Sequence, residues 1–458
     1  MTGDHVAVID IGKTNAKLAL VRPSDLCEIA VATRPNTVLP GPPYPHFDVE
    51  GHWAFLLDTL AAFHSEHGIS AIAITTHGAA GALIAADGSL AAPILDYEHT
   101  GPDETAAAYD TIRPPFTETG SPRLSMGLNL GAQLYWQFKV DPGLRDRVWR
   151  VVTYPQFWAH RLTGILATDV TSLGCHTDLW NPAAGTFSAL PDALGIAEKI
   201  APPRKPGDIL GTILPEIAGR TGLPTGAPVY CGIHDSNASL LPHLTTIEPP
   251  FSVVSTGTWV IAMAVGGKVV TLDPARDTLV NVNAFGKAVP SARFMGGREH
   301  DIAVGETPAD ADVKHMMDVL TRATMLLPAV VPQTGPFAGQ QARWHGAEPQ
   351  LGSGQRSATV AFYLALVTSH CLELIGHEGP VVVEGPFARN RAYLWMLGAA
   401  TTSPVFPMNS TTGTSQGAAL LVVADEYYGQ EKEANPAPEG RLATLLPTYA
   451  EKWNAIIK

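Results

Sequence analysis

The stretch VAVIDIGKTNAKLALV (Val6 to Val21) sets an acid, a glycine, small hydroxyl and amide side chains and two lysines between two apolar runs. Each run is long enough for a buried strand. A tight turn between them needs the glycine and the asparagine, but not the rest. The others have a chemical use. Asp10 ends the first strand and points into whatever cleft that strand faces. The backbone N–H groups of residues 12–15, with the side chains of Thr14 and Asn15, can bond phosphate oxygens. Lys17 adds a point charge on the returning strand. An acid beside phosphate-binding groups makes sense when a divalent cation lies between them, because carboxylate and phosphate repel. The plainer alternative is a polar hairpin with one ordinary acid. The segment is not a P-loop, since no glycine stands five residues before Gly12.

A second stretch, FSVVSTGTWVIAMAV, repeats the plan with Ser255, Thr256, Gly257 and Thr258 in its turn. Alone, such a turn is usually just a turn. Paired with the first, it suggests two hairpins, one per domain, holding a polyphosphate from both sides. GIHDSNASL ends another apolar run on His234 and Asp235, ahead of a small-residue helix start. A carboxylate at a strand's C-terminal end is where an α/β fold places reacting groups. The structural alternative makes Asp235 a helix N-cap. His234 reads as structural or substrate-contacting rather than as a metal ligand. EGPFARN follows the strand PVVV and either turns against a flat ligand or forms an ordinary strand-to-helix loop.

The elements that must position these residues alternate between strand and helix. HWAFLLDTLAAFHSEHG carries Trp53, Leu56, Leu57, Leu60 and Phe63 at helical spacing. ISAIAITTHGAAGALIAADG reads as strand, small-residue turn and strand, and helices are expected at Ala132–Phe138, Pro155–Leu162 and Pro215–Thr221. VYCGIHD reads as one strand. The second half offers a helix over Thr359–Ile375, the strands PVVVEG and SPVFPM, and a Gly-rich turn into a helix within STTGTSQGAALLVVADEYYG. The polar tail QEKEANPAPEGRL reads as solvated, with a small docking helix after it. The matched hairpins imply two related α/β halves, residues 1–245 and 246–458, with IEPP at the boundary.

The bulk numbers agree. A chain of 458 residues favours two or three domains, and 45% hydrophobic with 16% charged residues supports a large core. The net charge of −13 argues against a nucleic-acid or membrane-surface binder. Cys27, Cys175, Cys231 and Cys371 are far apart, which disfavours a disulfide framework or a cysteine zinc site. No run reaches the roughly 18 uncharged apolar residues of a membrane span, and a reducing cytoplasm is the expected location.

VIDIGKTNAKLALV, TYPQFWAHRLTG, PGDILGTILPEIAGRTGLPTGAPVYCGIHDSNASL, STGTW, EGPFARN and STTGTSQGAAL stand in the order and at the spacings of the FGGY carbohydrate kinases, and the chain resembles that family from about residue 5 to 425. The resemblance implies two RNase H-like domains of the actin, hexokinase and heat-shock 70 superfamily, with ATP in an interdomain cleft. Carried over by position, Asp235 looks like the catalytic base and Asp10 like the acid that holds Mg2+. Gly12, Lys13, Thr14, Asn15 and Lys17 fall in the first phosphate hairpin, and Thr256, Gly257 and Thr258 in the second. Gly385, Arg389 and Asn390 match the loop that backs the adenine, with Gly413 and Gln416 near the same pocket.

Glu384 and Pro386 stand where the family has glycines, which leaves the phosphoryl donor open beside ATP. His77, Gly78, Asp96, Glu98, His99 and His234 are the candidates for sugar contacts, and Arg298 and Glu299 for a further wall. STGTW and THG lean toward the rhamnulose and fuculose kinases. The implied activity is transfer of phosphate to a primary hydroxyl of a small sugar, such as a 6-deoxy-ketohexose or a pentulose. The resemblance also allows a homodimer. Two other readings stand beside it: a sugar- or nucleotide-binding regulator of the same fold that has lost catalysis, and an actin-like assembly ATPase.

Overall fold

A computed structural model describes residues 5–408, 413–423 and 433–457. Most of the Gly-rich turn expected before Gly413 and the start of the polar tail lie outside the described residues. The chain divides into two compact units. One comprises Met1–Thr246, Val280–Ala288 and Thr412–Gly429; the other comprises Ile247–Leu279, Val289–Thr411 and Gln430–Lys458.

The first unit is built on a mixed sheet. β1 (Val6–Ile11) is buried along its whole length, as its unbroken apolar run before Asp10 requires of a central strand. β2 (Asn15–Arg22) pairs antiparallel to it, with Asp10 opposite Lys17, and β3 (Cys27–Pro35) extends that side. Helix α1 (Val49–His67) starts where the Asp48 carboxylate accepts the Gly51 N–H and stops at Gly68, whose φ is 78°. It leads into β4 (Ala71–Thr76), parallel to β1. Helix α2 (Tyr154–Thr163) ends on left-handed Gly164. The sheet is completed by β5 (Ile209–Thr212), β6 (Pro228–Tyr230) and β7 (Ile233–His234), giving the order β5-β6-β4-β1-β2-β3 with β7 also on β4. VYCGIHD is thus two short strands rather than one. Gly232 breaks it at φ 98°, where a Cβ would come 3.0 Å from the Ile74 carbonyl oxygen. Helix α3 (Asp235–Leu244) follows directly.

In the second unit, β8 (Phe251–Thr256) and β9 (Val260–Val265) form the second hairpin. With β10 (Thr278–Val282), β11 (Ala288–Phe294), β12 (Val381–Glu384) and β13 (Val405–Pro407) the sheet order is β10-β11-β9-β8-β12-β13. The plan of the first sheet recurs: the first hairpin strand has its antiparallel mate on one side and a parallel strand on the other. Helix α4 (Gly296–Val304) precedes the long α5 (Gly354–Leu374), which begins earlier than the apolar spacing predicts because Ser353 caps the Arg356 N–H at 3.2 Å.

By length and composition α5 could cross a membrane, although Arg356 and Glu373 bound its uncharged run, and 72% of its most apolar window is buried. Val360, Phe362, Tyr363 and Leu364 are buried around its circumference, which marks the central helix of this unit's core. The Pro-rich tail is not wholly solvated either. Asn435 donates its N–H to Val405, and the Pro436 carbonyl accepts from the Trp395 indole at 2.8 Å. The final helix, Arg441–Ile457, docks through buried Leu446, Tyr449 and Trp453.

Candidate functional site

Three parallel strands of the first unit end side by side. Register sets Asp10 of β1 opposite Thr75 of β4, and Thr75 opposite Ile233 of β7. His77 and Asp235 come one or two residues beyond those rows, so Asp10, His77 and Asp235 collect at one end of the sheet. Asp10 is buried, at 9% exposure. Its Oδ2 accepts the Thr414 hydroxyl at 3.0 Å and lies 3.3 Å from Lys17 Nζ. Burial lifts the Asp10 carboxyl above its ordinary value; Lys17 and Thr414 oppose this, and the Asp235 charge adds to it. Burial also raises Asp235, against His77 and the Ser236 N–H, which donates to Asp235 Oδ1 at 2.6 Å. The Asp10 carboxylate therefore feels the Asp235 charge. Asp235 is the first residue of α3, and His234 takes the cap position, so Asp235 is not an N-cap.

His234 is held on three sides. Its backbone N–H reaches Thr171 Oγ1 at 3.0 Å, Asn237 Nδ2 lies 3.4 Å from Nδ1, and Nε2 stands 3.1 Å from Asp235 Oδ1. Gly78 makes room for this ring, since a Cβ there would come 2.8 Å from Nε2. Burial pushes His234 down to about 4, so the ring is neutral. His77 is likewise pushed down to about 4, chiefly by burial. Its ring centroid lies 5.0–5.2 Å from those of Phe47, Tyr97 and Tyr154.

The first turn is fixed from behind. Gly12 N–H donates to Asn15 O at 2.9 Å, and buried Asn36 donates to Gly12 O at 2.8 Å. Thr14 and Asn15 are exposed at its tip, where a ligand can reach them. Lys13 and Lys17 are otherwise engaged. Lys17 lies 3.3 Å from both Asp10 and Glu28. Lys13 is hydrogen-bonded to Asp96 and stands 3.1 Å from Glu98. Two residues expected at the sugar thus grip one expected at the phosphate. His99 packs on Trp136, with centroids 5.1 Å apart.

The second turn works through backbone and shape. Thr256 is buried; its hydroxyl donates to the Glu384 carbonyl and accepts the Phe387 N–H at 3.1 Å. It is a clamp on the EGPFARN loop. At Gly385 (φ 81°) a Cβ would fall 1.9 Å from the Thr256 carbonyl oxygen, and at Gly297 it would fall 2.1 Å from that of Gly257. Glycine at both places is a steric necessity. Beside them opens a cavity of about 580 Å³ lined by Gly257, Thr258, Arg298, Phe387 and Asn390 among others. Arg389 is exposed, and the Asn390 side chain caps α6 (Arg391–Thr401) through the Tyr393 N–H.

Glu299 is a correction. It is 2% exposed, accepts from the Tyr363 hydroxyl at 2.7 Å and the Val331 N–H at 3.1 Å, and is pushed up to about 7 by burial. It is a core carboxyl of the second unit and not a wall for sugar. Gly413 and Gln416 open the helix Gly413–Val423, which packs in the first unit against α3 and β1. At Gly417 a Cβ would lie 1.7 Å from the Ala238 carbonyl oxygen. Sequence reasoning missed Thr414, although it lies inside a quoted motif. Also missed were Phe47, Tyr97 and Tyr154; Tyr97 sits between two residues that were singled out.

This arrangement, two mixed-sheet units each with a Gly-bearing hairpin and one with paired aspartates at its strand ends, defines a phosphotransferase-like α/β architecture. Residues 5–242 match the N-terminal domain of the FGGY family of carbohydrate kinases, and residues 248–432 match the carbohydrate kinase FGGY C-terminal domain. The chain belongs to the FGGY family of carbohydrate kinases. A carbohydrate kinase from Novosphingobium aromaticivorans has a similar crystal structure, with TM-score 0.91 and 36% identity, covering 100% of this chain and 99% of that one. The L-fuculokinase of Salmonella typhi is 28% identical over 282 residues, 59% of this chain and 58% of its own length. The chain thus spans less than two thirds of the curated relatives it matches. A xylulose kinase from Rhodospirillum rubrum shares the fold, with TM-score 0.77 and 20% identity over 99% of this chain and 98% of that one.

Proposed function

We propose that the protein transfers the γ-phosphate of ATP to a primary hydroxyl of a small sugar or ketose of the 6-deoxy-ketohexose or pentulose type. The observation that carries this reading is the meeting of Asp10 and Asp235 at one set of strand ends, where the Asp235 charge acts on Asp10. A binding module needs neither acid. Asp235, held by His234 and the Ser236 N–H, accepts the proton of the attacking hydroxyl. The L-fuculokinases among the relatives support the 6-deoxy-ketohexose side.

The residues present fit the implied nucleotide and metal. Bare backbone at Gly257 and Gly297 lines a cavity with Arg298 for phosphate charge and Phe387 for a flat base. Asp10 offers hard oxygen ligands, and Mg2+ takes one or two carboxylates with phosphate and water completing its shell. When bound, Mg2+ supplies neutralisation of phosphate charge. Gly12, Thr14 and Asn15 position phosphate in the first unit, and Gly257 and Thr258 in the second. Cys27, Cys175, Cys231 and Cys371 are free thiols.

The test is ADP release from ATP and magnesium across a panel of ketoses, aldoses and polyols, repeated with Asp235→Asn. Sugar-dependent ADP formation that vanishes in the variant is the expected result. An unchanged rate in the variant overturns the assigned base, and no sugar dependence in the wild type overturns the kinase reading.

A further inference from the structure

Lys13 stands in a turn expected to hold phosphate, yet its ammonium is turned to other partners. Asp96 accepts a hydrogen bond from Nζ, and Glu98 lies 3.1 Å away. The ammonium also lies 4.7 Å from the centre of the Tyr97 ring and 5.4 Å from that of Phe47. These same two rings flank His77, at 5.2 and 5.1 Å between centroids. Lys13 and His77 therefore share one aromatic enclosure, and the lysine charge acts on the imidazole.

Hydrogen-bond chemistry fixes what each offers. His77 Nδ1 lies 2.7 Å from the Gly78 carbonyl oxygen, which can only accept, so Nδ1 carries the proton. Nε2 is then an acceptor. It is buried, has no hydrogen-bond partner among the described residues, and belongs to a residue only 6% exposed. Such an orphaned atom calls for a ligand. An ammonium has three N–H donors. Two face Asp96 and Glu98, leaving a third. A donor and an acceptor in one cage of aromatic faces match two oxygens of a sugar and its apolar C–H surface. The charges nearby are Asp10, Glu28, Asp96, Glu98 and Asp235 against Lys13 and Lys17, a surplus of carboxylates that turns away an anionic ligand.

We propose that Lys13 is a specificity-determining residue for the sugar and not a phosphate ligand: it donates to one substrate oxygen while His77 Nε2 accepts from a neighbouring hydroxyl. This rests on the sugar-kinase reading above. It also explains why the acids at 96 and 98 are there. They hold the lysine side chain toward the enclosure.

Calorimetry on the full chain separates the possibilities, with L-fuculose and xylulose titrated without nucleotide, and ATP with magnesium titrated without sugar. Lys13→Met is expected to weaken binding of the better sugar at least tenfold and to leave ATP binding within twofold. His77→Phe, which keeps an aromatic ring but deletes the acceptor, is expected to act the same way. Glu98→Gln is the safeguard against misfolding, because that side chain is 57% exposed. It loosens the lysine and is expected to weaken sugar binding about threefold with ATP binding unchanged. A tenfold loss of ATP affinity in Lys13→Met with sugar binding intact overturns the proposal, as does no effect on sugar in all three variants. A wild-type chain that binds neither sugar overturns the proposal for ketoses of this class, while the kinase reading is decided separately by ADP release across the panel.

Discussion

In the first hairpin the Gly12 N–H donates to Asn15 O at 2.9 Å; in the second the Gly257 N–H donates to Trp259 O, also at 2.9 Å. The backbones follow one plan, and the side chains do not. Around the first turn stand Asp10, Lys13 and Lys17, each in an ion pair. The second turn carries no charge of its own, and its one buried hydroxyl, Thr256, is spent inside the protein on the Glu384 carbonyl and the Phe387 N–H. The first hairpin presents chemistry, and the second holds a shape. Damage to the first should therefore fall on rate and damage to the second on stability and nucleotide affinity.

Asp235→Asn, beside the first hairpin, is expected to lower kcat by about 10²–10⁴-fold with sugar KM changed by less than about threefold, read from coupled ADP release. Asp10→Asn should cost about 10²-fold in kcat, and a rate near wild type would break the contrast between the turns.

Acid should unsettle the unit that carries the charged hairpin. His52, His77 and His234 are all pushed down to about 4 from 6.5, burial being the largest cause in each. Below pH 6.5 the unfolded chain binds protons that the folded unit refuses. The histidine contribution to its stability is thus full above 6.5 and lost as pH falls toward 4, by several kcal/mol, while the raised carboxyls of Asp10 and Asp235 act with the opposite sign. Glu299 in the other unit has the opposite sign. Raised to about 7 from 4.5, it stabilises most below 4.5 and ceases to as pH rises through 7. Denaturant titrations followed by hydrogen exchange should show the first unit opening earlier at pH 5 than at pH 7.

Gly385→Ala should destabilise the second unit by about 1–3 kcal/mol and raise KM for ATP, because its Cβ collides with the Thr256 carbonyl at a positive φ. Thermal melts and ATP kinetics check it. The smallest effect belongs to exposed Thr258: Thr258→Val should change melting little and raise KM for ATP about two- to fivefold, about 0.4–1 kcal/mol.

Both hairpins were legible because an apolar strand, a polar Gly turn and a second apolar strand can do little else. The helix Pro215–Thr221 was legible residue for residue, since Pro starts it and left-handed Gly222 ends it. That Asp10 and Asp235 share a strand end came from family resemblance; nothing local encodes a 225-residue separation. The partners of Lys13 were hidden for the same reason, 83 residues away. Glu299 misled because a carboxyl in a charged run reads as exposed, while two hydrogen bonds hold it in the core. VYCGIHD looked continuous because periodicity does not register one glycine turning to φ 98°.

The hydroxyl that holds Asp10 comes from Thr414, 404 residues later. The helix bearing it covers Val6, Val8, Ala19 and Val21 and seats Gly417 on Ala238. On a ribosome, this first half emerges long before its last piece, and it waits with that apolar flank bare until the second half has been translated. A fragment cut at residue 246 inherits the same bare flank permanently. Autonomous folding is therefore to be sought in the whole polypeptide, and a chaperone has its longest opportunity in that interval.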